Sequence, residues 1–168
     1  MAETFNGSVT VAVNATLTGD LDIGTGTHTV NSNYKTIFTN GTAADQANMM
    51  WTDTRTISGS SSDDLDLAAS LTSAFGTTIT FTSIKGIIIS AAAANGGSIS
   101  IGGDGAAALD TLFDAVDNEI LVAPGGTFAI VNPNANGYVV TATTADILEI
   151  TNLDGSSVTY DIIIIGEV

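Results

Sequence analysis

The sequence predicts an all-β protein built from short antiparallel strands, with at most one or two short helical turns. Hydrophobic residues make up 44% of the chain and charged residues only 12%, and Thr, Ser, Ile, Val and Gly outnumber the residues that usually cover helix surfaces. Apolar and polar residues alternate in many segments, and turn residues separate these segments at short intervals. We therefore expect about nine or ten antiparallel strands in a sandwich or a barrel, forming one domain over residues 1–168.

The stretch Thr77–Ala94 is the predicted centre of this domain. Its first half alternates, with Ile79 and Phe81 on one face, and its second half is apolar on both faces. A strand that runs from a half-exposed edge into a core has this pattern. We expect it to form a scaffold with the apolar strand at the chain end, VTYDIIII, and we expect Lys85 to be a solvent-facing charge at a bulge beside Gly86.

The N-terminal third contains two predicted strands. Ser8–Thr18 alternates Val, Ala and Leu with polar residues, which indicates a strand with one buried face. A second strand is expected over His28–Phe38, where the alternation is imperfect. Its inward residues are expected to be Val30, Tyr34, Ile37 and Phe38.

The middle of the chain predicts a further strand and two turns. Asn40-Gly41 is a turn signal, and the polar segment TAADQAN reads as a loop. The strand WTDTRTIS follows, and its alternate residues Trp51, Asp53, Arg55 and Ile57 are expected to share one face. The segment GSSSDD is typical of a solvated turn, DLDL resumes the alternation, and AASLTSAF allows one or two helical turns before Gly76.

The remainder predicts a hairpin, a short helical segment and five strands. Ala91–Gly103 is most simply a hairpin, and its glycines, like those of Gly102-Gly103-Asp104-Gly105, are turn glycines. Residues 106–116 have the apolar spacing of a short helix or of a loop that plugs the end of a sandwich. The last strands are EILVA, TFAIVN, GYVVTA, DILEIT and VTYDIIII.

The charge balance restricts the partners that this protein can bind directly. Eighteen acidic residues oppose only Lys35, Arg55 and Lys85, so the net charge is −15 at pH 7. Three scattered cations cannot replace the counterions of a phosphate backbone, which argues against nucleic acid and anionic membranes. The chain has no cysteine, and its first residues lack the basic and apolar regions of a signal peptide, so we expect folding in a reducing cytoplasm.

Few residues are candidates for catalysis, and the sequence predicts no enzyme. His28 is the single histidine, and a lone histidine in an alternating strand is usually structural. A pair of carboxylates is the minimal apparatus of a glycosidase. The candidates for such a pair, all of them more simply solvated turn residues, are Asp53, Asp64, Asp66, Asp110, Asp114 and Glu119.

Metal binding has weak candidates, and we predict no resident metal or cofactor. Asp63, Asp64 and Asp66, or Asp20 and Asp22, are acidic groups that offer oxygen ligands for Ca²⁺ at a loop or subunit junction. The segment 132–137, NPNANG, has the oxygen donors and glycine that open an EF-hand loop. Its twelfth position is Thr143 instead of glutamate, so a hairpin turn with Asn-Gly at its tip is the better interpretation.

Arg55 is expected to pair with Asp53 on the same strand face, as a sheet salt bridge that adds little stability.

The residues around Arg55 belong to a longer sequence pattern. The segment MMWTDTRTISGSSSDDLDLAASLTSAFGTTITFTSIKGIIISAAA and the later segment LVAPGGTFAIVNPNANGYVVTATTADILEITN, with the closing VTYDIIIIG, resemble small virion structural proteins of tailed bacteriophages. The resemblance covers about residues 40–166 and leaves 1–39 outside it.

The resemblance implies a non-enzymatic capsid decoration or cement protein. Such a protein would be a β-sandwich of jelly-roll type, would self-associate, most simply as a homotrimer, and would bind the major capsid protein on the outer surface of the virion. Residues 1–39, outside the resemblance, are expected to be an arm or added strands. The alternative is a tail-associated or receptor-binding protein that binds carbohydrate through Trp51 or through Tyr34, Tyr138 and Tyr160.

Overall fold

The structure is a computed structural model that describes residues 3–103 and 107–168. Nearly all of its regular structure is β, and its one helix among these residues has four residues. The strands, in chain order, are β1 (Gly7–Asp20), β2 (Thr25–Asn40), β3 (Gln46–Ala47), β4 (Met49–Ile57), β5 (Ser62–Asp66), β6 (Leu71–Thr72), β7 (Thr78–Ile79), β8 (Ser83–Ala91), β9 (Ile99–Gly102), β10 (Glu119–Val122), β11 (Thr127–Val131), β12 (Tyr138–Val139), β13 (Ile147–Asn152) and β14 (Val158–Glu167). The helix α1 spans Asp110–Phe113. The all-β prediction is confirmed, with fourteen strands in the described residues instead of nine or ten.

Two sheets contribute to the main core. One has the order β10-β9-β13-β5, and the other has the order β11-β8-β14-β4, with β12 also paired to β8. Alternate residues point inward, as in β14, where Val158, Tyr160, Ile162 and Ile164 are buried. These side chains belong to the same hydrophobic cluster as the inward residues of β9 and β13, so both sheets bury their apolar faces in one core.

The predicted central stretch is central in the five-stranded sheet. β8 lies between β14 on one side and β11 and β12 on the other, and Ile87 and Ile89 are fully buried. β14 pairs with it antiparallel, which confirms the scaffold of two apolar strands. The register shifts opposite Lys85, between Ile165 and Gly166, so the predicted bulge is also confirmed.

Two predicted hairpins are wrong. The strands β8 and β9, on either side of Ala92–Ser98, lie in different sheets, so this segment is a connection between sheets. β11 and β12, on either side of Asn132–Gly137, both pair with β8. They follow one another along the same edge, and the loop between them interrupts that edge. A turn signal predicts where a strand ends, but it does not decide which strand the chain joins next.

The predicted helical segment 106–116 contains a single turn. Residue 106 lies outside the described residues, as do Asp104 and Gly105 of the predicted glycine turn and residues 1 and 2. The turn α1 carries no buried residue of its own. Leu109, directly before it, is buried, and Leu112 and Phe113 pack against the core.

The N-terminal strands form a ribbon that we call the arm, residues 7–40. β1 and β2 pair antiparallel over fourteen residue pairs, from Gly7–Phe38 to Asp20–Thr25. At fourteen pairs the arm is about 45 Å long. Its hydrophobic contacts with the rest of the described chain lie at its base, where Val9 and Phe38 of the arm cluster with Phe5, Ala47, Val131 and Ile165.

Two predictions about the arm's side chains are wrong. The apolar face of β1, which the alternation placed in a core, is exposed from Val11 outward. In β2, Tyr34 and Ile37 are exposed and lie on opposite faces, and Phe38 is the buried member of the predicted inward set. The alternation predicted the strands correctly, but in this chain no second layer covers them beyond the base.

Candidate binding surface

The arm carries eight of the sixteen exposed large hydrophobic residues in the described structure. Because cross-strand partners point to the same side of a ribbon, the register places one set of residues on one face: Val9, Val11, Val13, Ala15, Leu17, His28, Val30, Ser32, Tyr34, Thr36 and Phe38. The opposite face is polar apart from Ala12 and Ile37. The arm is therefore amphipathic, with a hydrophobic side that contacts solvent.

Large aliphatic side chains at the outer end of the arm are strongly exposed. Leu17 is 72% exposed, and Leu21 and Ile23 in the tip turn are 63% and 93% exposed. The turn is closed by the backbone N–H of Leu21 donating to the carbonyl of Gly24, whose φ of 89° suits glycine. Folding of this chain alone thus leaves Leu21 and Ile23 exposed at the far end of the ribbon from its base.

An apolar groove lies at the base of the arm. It has a volume of about 520 Å³, and its apolar lining is Phe5, Val9, Met50, Ile88, Ile163 and Ile165. Met50, Ile88 and Ile163 are neighbours across β4, β8 and β14 on the outer face of the five-stranded sheet. Because Val9 belongs both to the groove and to the arm's apolar face, the two surfaces are continuous. We call them together the apolar surface.

Charge is nearly absent from this surface. The arm contains two aspartates and one lysine, so its net charge is −1, against −15 for the whole chain. None of the residues that line the groove is charged. Most of the acidic groups therefore lie on the body, which we define as residues 41–168.

The predicted pair of Arg55 and Asp53 is present, but Asp63 is the stronger partner. Arg55 donates to both carboxylate oxygens of Asp63, from Nε at 2.5 Å and from Nη2 at 2.8 Å, and to Asp53 from Nη1 at 3.1 Å. The buried Tyr160 hydroxyl donates to Asp63 at 2.6 Å. These residues connect β4 and β14 of one sheet to β5 of the other.

The pKa shifts of this cluster favour an ionised Asp63, a charged Arg55 and a neutral Tyr160. Burial alone would raise the pKa of Asp63, but the hydrogen bonds from Arg55 and Tyr160 outweigh it and hold that pKa below its ordinary value. The hydrogen bond to Asp63 raises the pKa of Arg55, and burial raises the pKa of Tyr160. An ionised carboxylate held by two fixed donors is suited to joining the sheets.

Lys85 is fully buried, which contradicts its predicted exposure. Its relative exposure is 0%, and its ammonium donates to the backbone carbonyls of Asn134 and Ala135. It also pairs with the Glu167 carboxylate at 2.9 Å. The loop 132–137 therefore offers two backbone carbonyls to a buried lysine ammonium.

The other candidates for catalysis or metal binding are dispersed. His28, Asp20 and Asp22 lie in the outer half of the arm, and Asp110 and Asp114 lie at the two ends of α1. Within residues 3–103 and 107–168, no group of three or more histidines and acids is placed to hold a metal ion. No described helix is long and apolar enough to span a membrane.

The other carboxylates of the four-stranded sheet lie apart from the apolar groove. Asp64 faces Glu149 across β5 and β13 on the outer face of this sheet. Glu119 accepts a hydrogen bond from the Ser100 hydroxyl, and Asp66 accepts one from the backbone N–H of Ala68 at 2.9 Å. None of these four acids lines the apolar groove.

The aromatic residues suggested for carbohydrate binding are mostly buried. Trp51 and Tyr160 belong to the core, and Tyr138 packs against it. Tyr34 on the arm is exposed, as is Phe75, which the sequence analysis did not single out. Of the four aromatic residues suggested, Tyr34 is therefore the one exposed ring.

Sequence reasoning missed the tip and the groove. Leu21 and Ile23 stand between turn residues in the segment GDLDIGTG, and two large aliphatic residues in a turn are the signal that could have identified the tip. The groove has no such signal, because Phe5, Met50 and Ile163 come from distant parts of the chain.

No protein-family model matches this sequence, and neither the curated proteins nor the solved structures include a significant match.

Proposed function

We propose that this protein is a non-enzymatic virion structural protein of a tailed bacteriophage, a capsid decoration or cement protein that binds and stabilises the shell of major capsid protein. The observation that carries the proposal is the arm, which presents an uncovered apolar face about 45 Å long. A ribbon of two strands is only marginally stable by itself. A partner that covers this face would stabilise both the arm and the assembly.

The polar groups of the body support a structural role. Arg55, Asp63 and Tyr160 tie the two sheets together, and Lys85 fixes the loop 132–137. These four groups are thus engaged in holding the fold. We also propose that the two sheets stack as a sandwich of jelly-roll type, since their inward faces share one core.

Charge supports an outer location on the virion. A protein with net charge −15 is repelled by packaged nucleic acid and stays soluble at high concentration. We therefore place it on the outer capsid surface after folding in the bacterial cytoplasm. The apolar surface and strand-edge pairing would supply its binding energy.

The second candidate is a tail-associated or receptor-binding protein. The exposed rings of Tyr34 and Phe75 are the observation in its favour. Copy number separates the two: quantitative mass spectrometry of purified particles should give hundreds of copies for a capsid protein and a few tens or fewer for a tail protein. Absence from the particle would overturn both.

A shortened arm tests the mechanism. Replacing residues 13–32 by Asn-Gly keeps the contacts of Phe5, Val9 and Phe38 at the base and closes a two-residue hairpin next to the pair Ala12–Asn33. We expect this variant to fold, as its circular dichroism would show, and to lose capsid occupancy. Unchanged occupancy would remove the arm from the proposal.

A further inference from the structure

We propose that the apolar surface is covered by a second copy of this chain, with the two arms packed face to face and antiparallel about a two-fold axis. In this arrangement the tip of each arm lies in the groove at the base of its partner's arm. The pairing needs only this protein and uses the same surface as the proposed capsid contact, so it describes the free protein before it binds the shell and does not depend on the virion role.

Self-complementarity is the first argument for a second copy. The tip presents Leu17, Leu21 and Ile23, and the base presents an apolar groove of about 520 Å³. Within one chain these two features are separated by the length of the arm. A two-fold axis at the middle of the arm, between Val13 and Asn14, brings each tip to the other's groove, because the arm's fourteen pairs are then aligned end to end.

The buried area is the second argument. A ribbon about 45 Å long and about 10 Å wide offers roughly 450 Å² of apolar face, so two arms bury roughly 900 Å². The two contacts between tip and groove raise the total to about 1,200 Å², the lower limit of specific interfaces. The arm face alone would be too small for a stable dimer, and the groove supplies the remainder.

Charge is the third argument, and it selects the antiparallel arrangement. Outside the arm each chain carries a charge of −14, so two bodies side by side would repel. Antiparallel arms hold the bodies at opposite ends, about 45 Å apart, several times the Debye length of about 8 Å. The arm's apolar face and the groove lining contain no Asp, Glu, Lys or Arg, and the charges nearest the contact are Asp20 and Asp22 at the tip. Salt should therefore strengthen association only modestly, by screening these two carboxylates from the partner's acidic body.

Engineered cysteines test the geometry without interference, because the chain has no cysteine. Val13→Cys places a thiol on the apolar face beside the two-fold axis, and Asn14→Cys places one on the polar face next to it. We expect Val13→Cys to form a covalent dimer under mild oxidation and Asn14→Cys to remain largely uncrosslinked. Equal crosslinking of the two variants would overturn the packing of the arms.

A second pair of cysteines tests the contact between tip and groove. Ile23→Cys combined with Ile163→Cys should crosslink between chains, whereas Ile23→Cys combined with Leu153→Cys, another exposed position outside the groove, should not. Equal crosslinking of both combinations, or of Ile23→Cys alone, would contradict the antiparallel arrangement.

Sedimentation of the untagged protein decides whether the partner is a second copy. The wild type should be dimeric or part of a larger even-numbered assembly at about 100 μM, well above a micromolar Kd. Val13→Asp should raise the Kd by more than about a hundredfold, since it buries an unpaired carboxylate, while Asn14→Asp on the polar face should change it little. A wild type that stays monomeric would overturn the proposal and leave another protein as the occupant.

Discussion

Replacing Lys85 by methionine is expected to be the most informative single change in the body. Methionine fills a similar apolar volume, but it removes an ammonium that donates to two carbonyls and pairs with Glu167 at 2.9 Å. Removing one partner of a buried ion pair costs about 3–5 kcal/mol, because the other charge stays buried and unpaired. Since Glu167 is only 8% exposed, water cannot compensate for the loss.

The measurement is the free energy of unfolding from urea titration at pH 7. We expect Lys85→Met to lower it by about 3 kcal/mol, a large share of the 5–15 kcal/mol typical of a domain. The double variant Lys85→Met/Glu167→Gln should recover about 1–2 kcal/mol of that loss, since no charge is then left unpaired. Lys35→Met, the same change at an exposed site, should stay within about 0.5 kcal/mol of wild type. A loss below about 1 kcal/mol for Lys85→Met would refute the buried ion pair.

Two further predictions concern the joined sheets and the loop. Asp63→Asn should lower the free energy of unfolding by about 2 kcal/mol at pH 7, and Asp64→Asn, at an exposed site, is the control. The folded-state pKa of Asp63 is below its unfolded value, so the stabilisation from this group is present above about pH 4 and is lost as the pH falls further. The difference in unfolding free energy between Asp63→Asn and wild type should therefore shrink in acid. A constant difference from pH 7 to pH 2.5 would count against this linkage. Gly137→Ala should lower the free energy of unfolding by more than about 1 kcal/mol, because φ is 54° and the new Cβ would lie 2.5 Å from the Ile84 carbonyl oxygen. The control is Gly155→Ala, whose new Cβ meets no atom within 4 Å and should be tolerated. Equal midpoints of thermal unfolding for these two variants would contradict the loop geometry.

The strands could be predicted from the sequence because alternation and turn residues are local signals. The strand signal of the segment WTDTRTIS led to β4, with Trp51 and Ile57 buried and Asp53 exposed on the predicted face. The pairing of strands depends on distant segments, and local signals do not contain it. The apparent hairpin at Asn132–Gly137 shows this limit, since both of its strands pair with β8.

Burial was the least predictable property. Lys85 was expected in solvent because lysine is rarely buried, although its neighbours in SIKGIII form one of the most apolar runs of the chain. Val11 and Val13 were expected in a core because the apolar face of an alternating strand is usually buried. Both errors arise because burial depends on what covers a residue, and on the arm our proposal is that a second chain provides the cover.

The most direct test of the proposed function is an electron-microscopy reconstruction of the intact phage particle. The account predicts density for this fold at many symmetry-related positions on the outer surface of the head, with each arm in contact with a neighbouring subunit. Density confined to the tail, or heads that carry none of this protein, would contradict it.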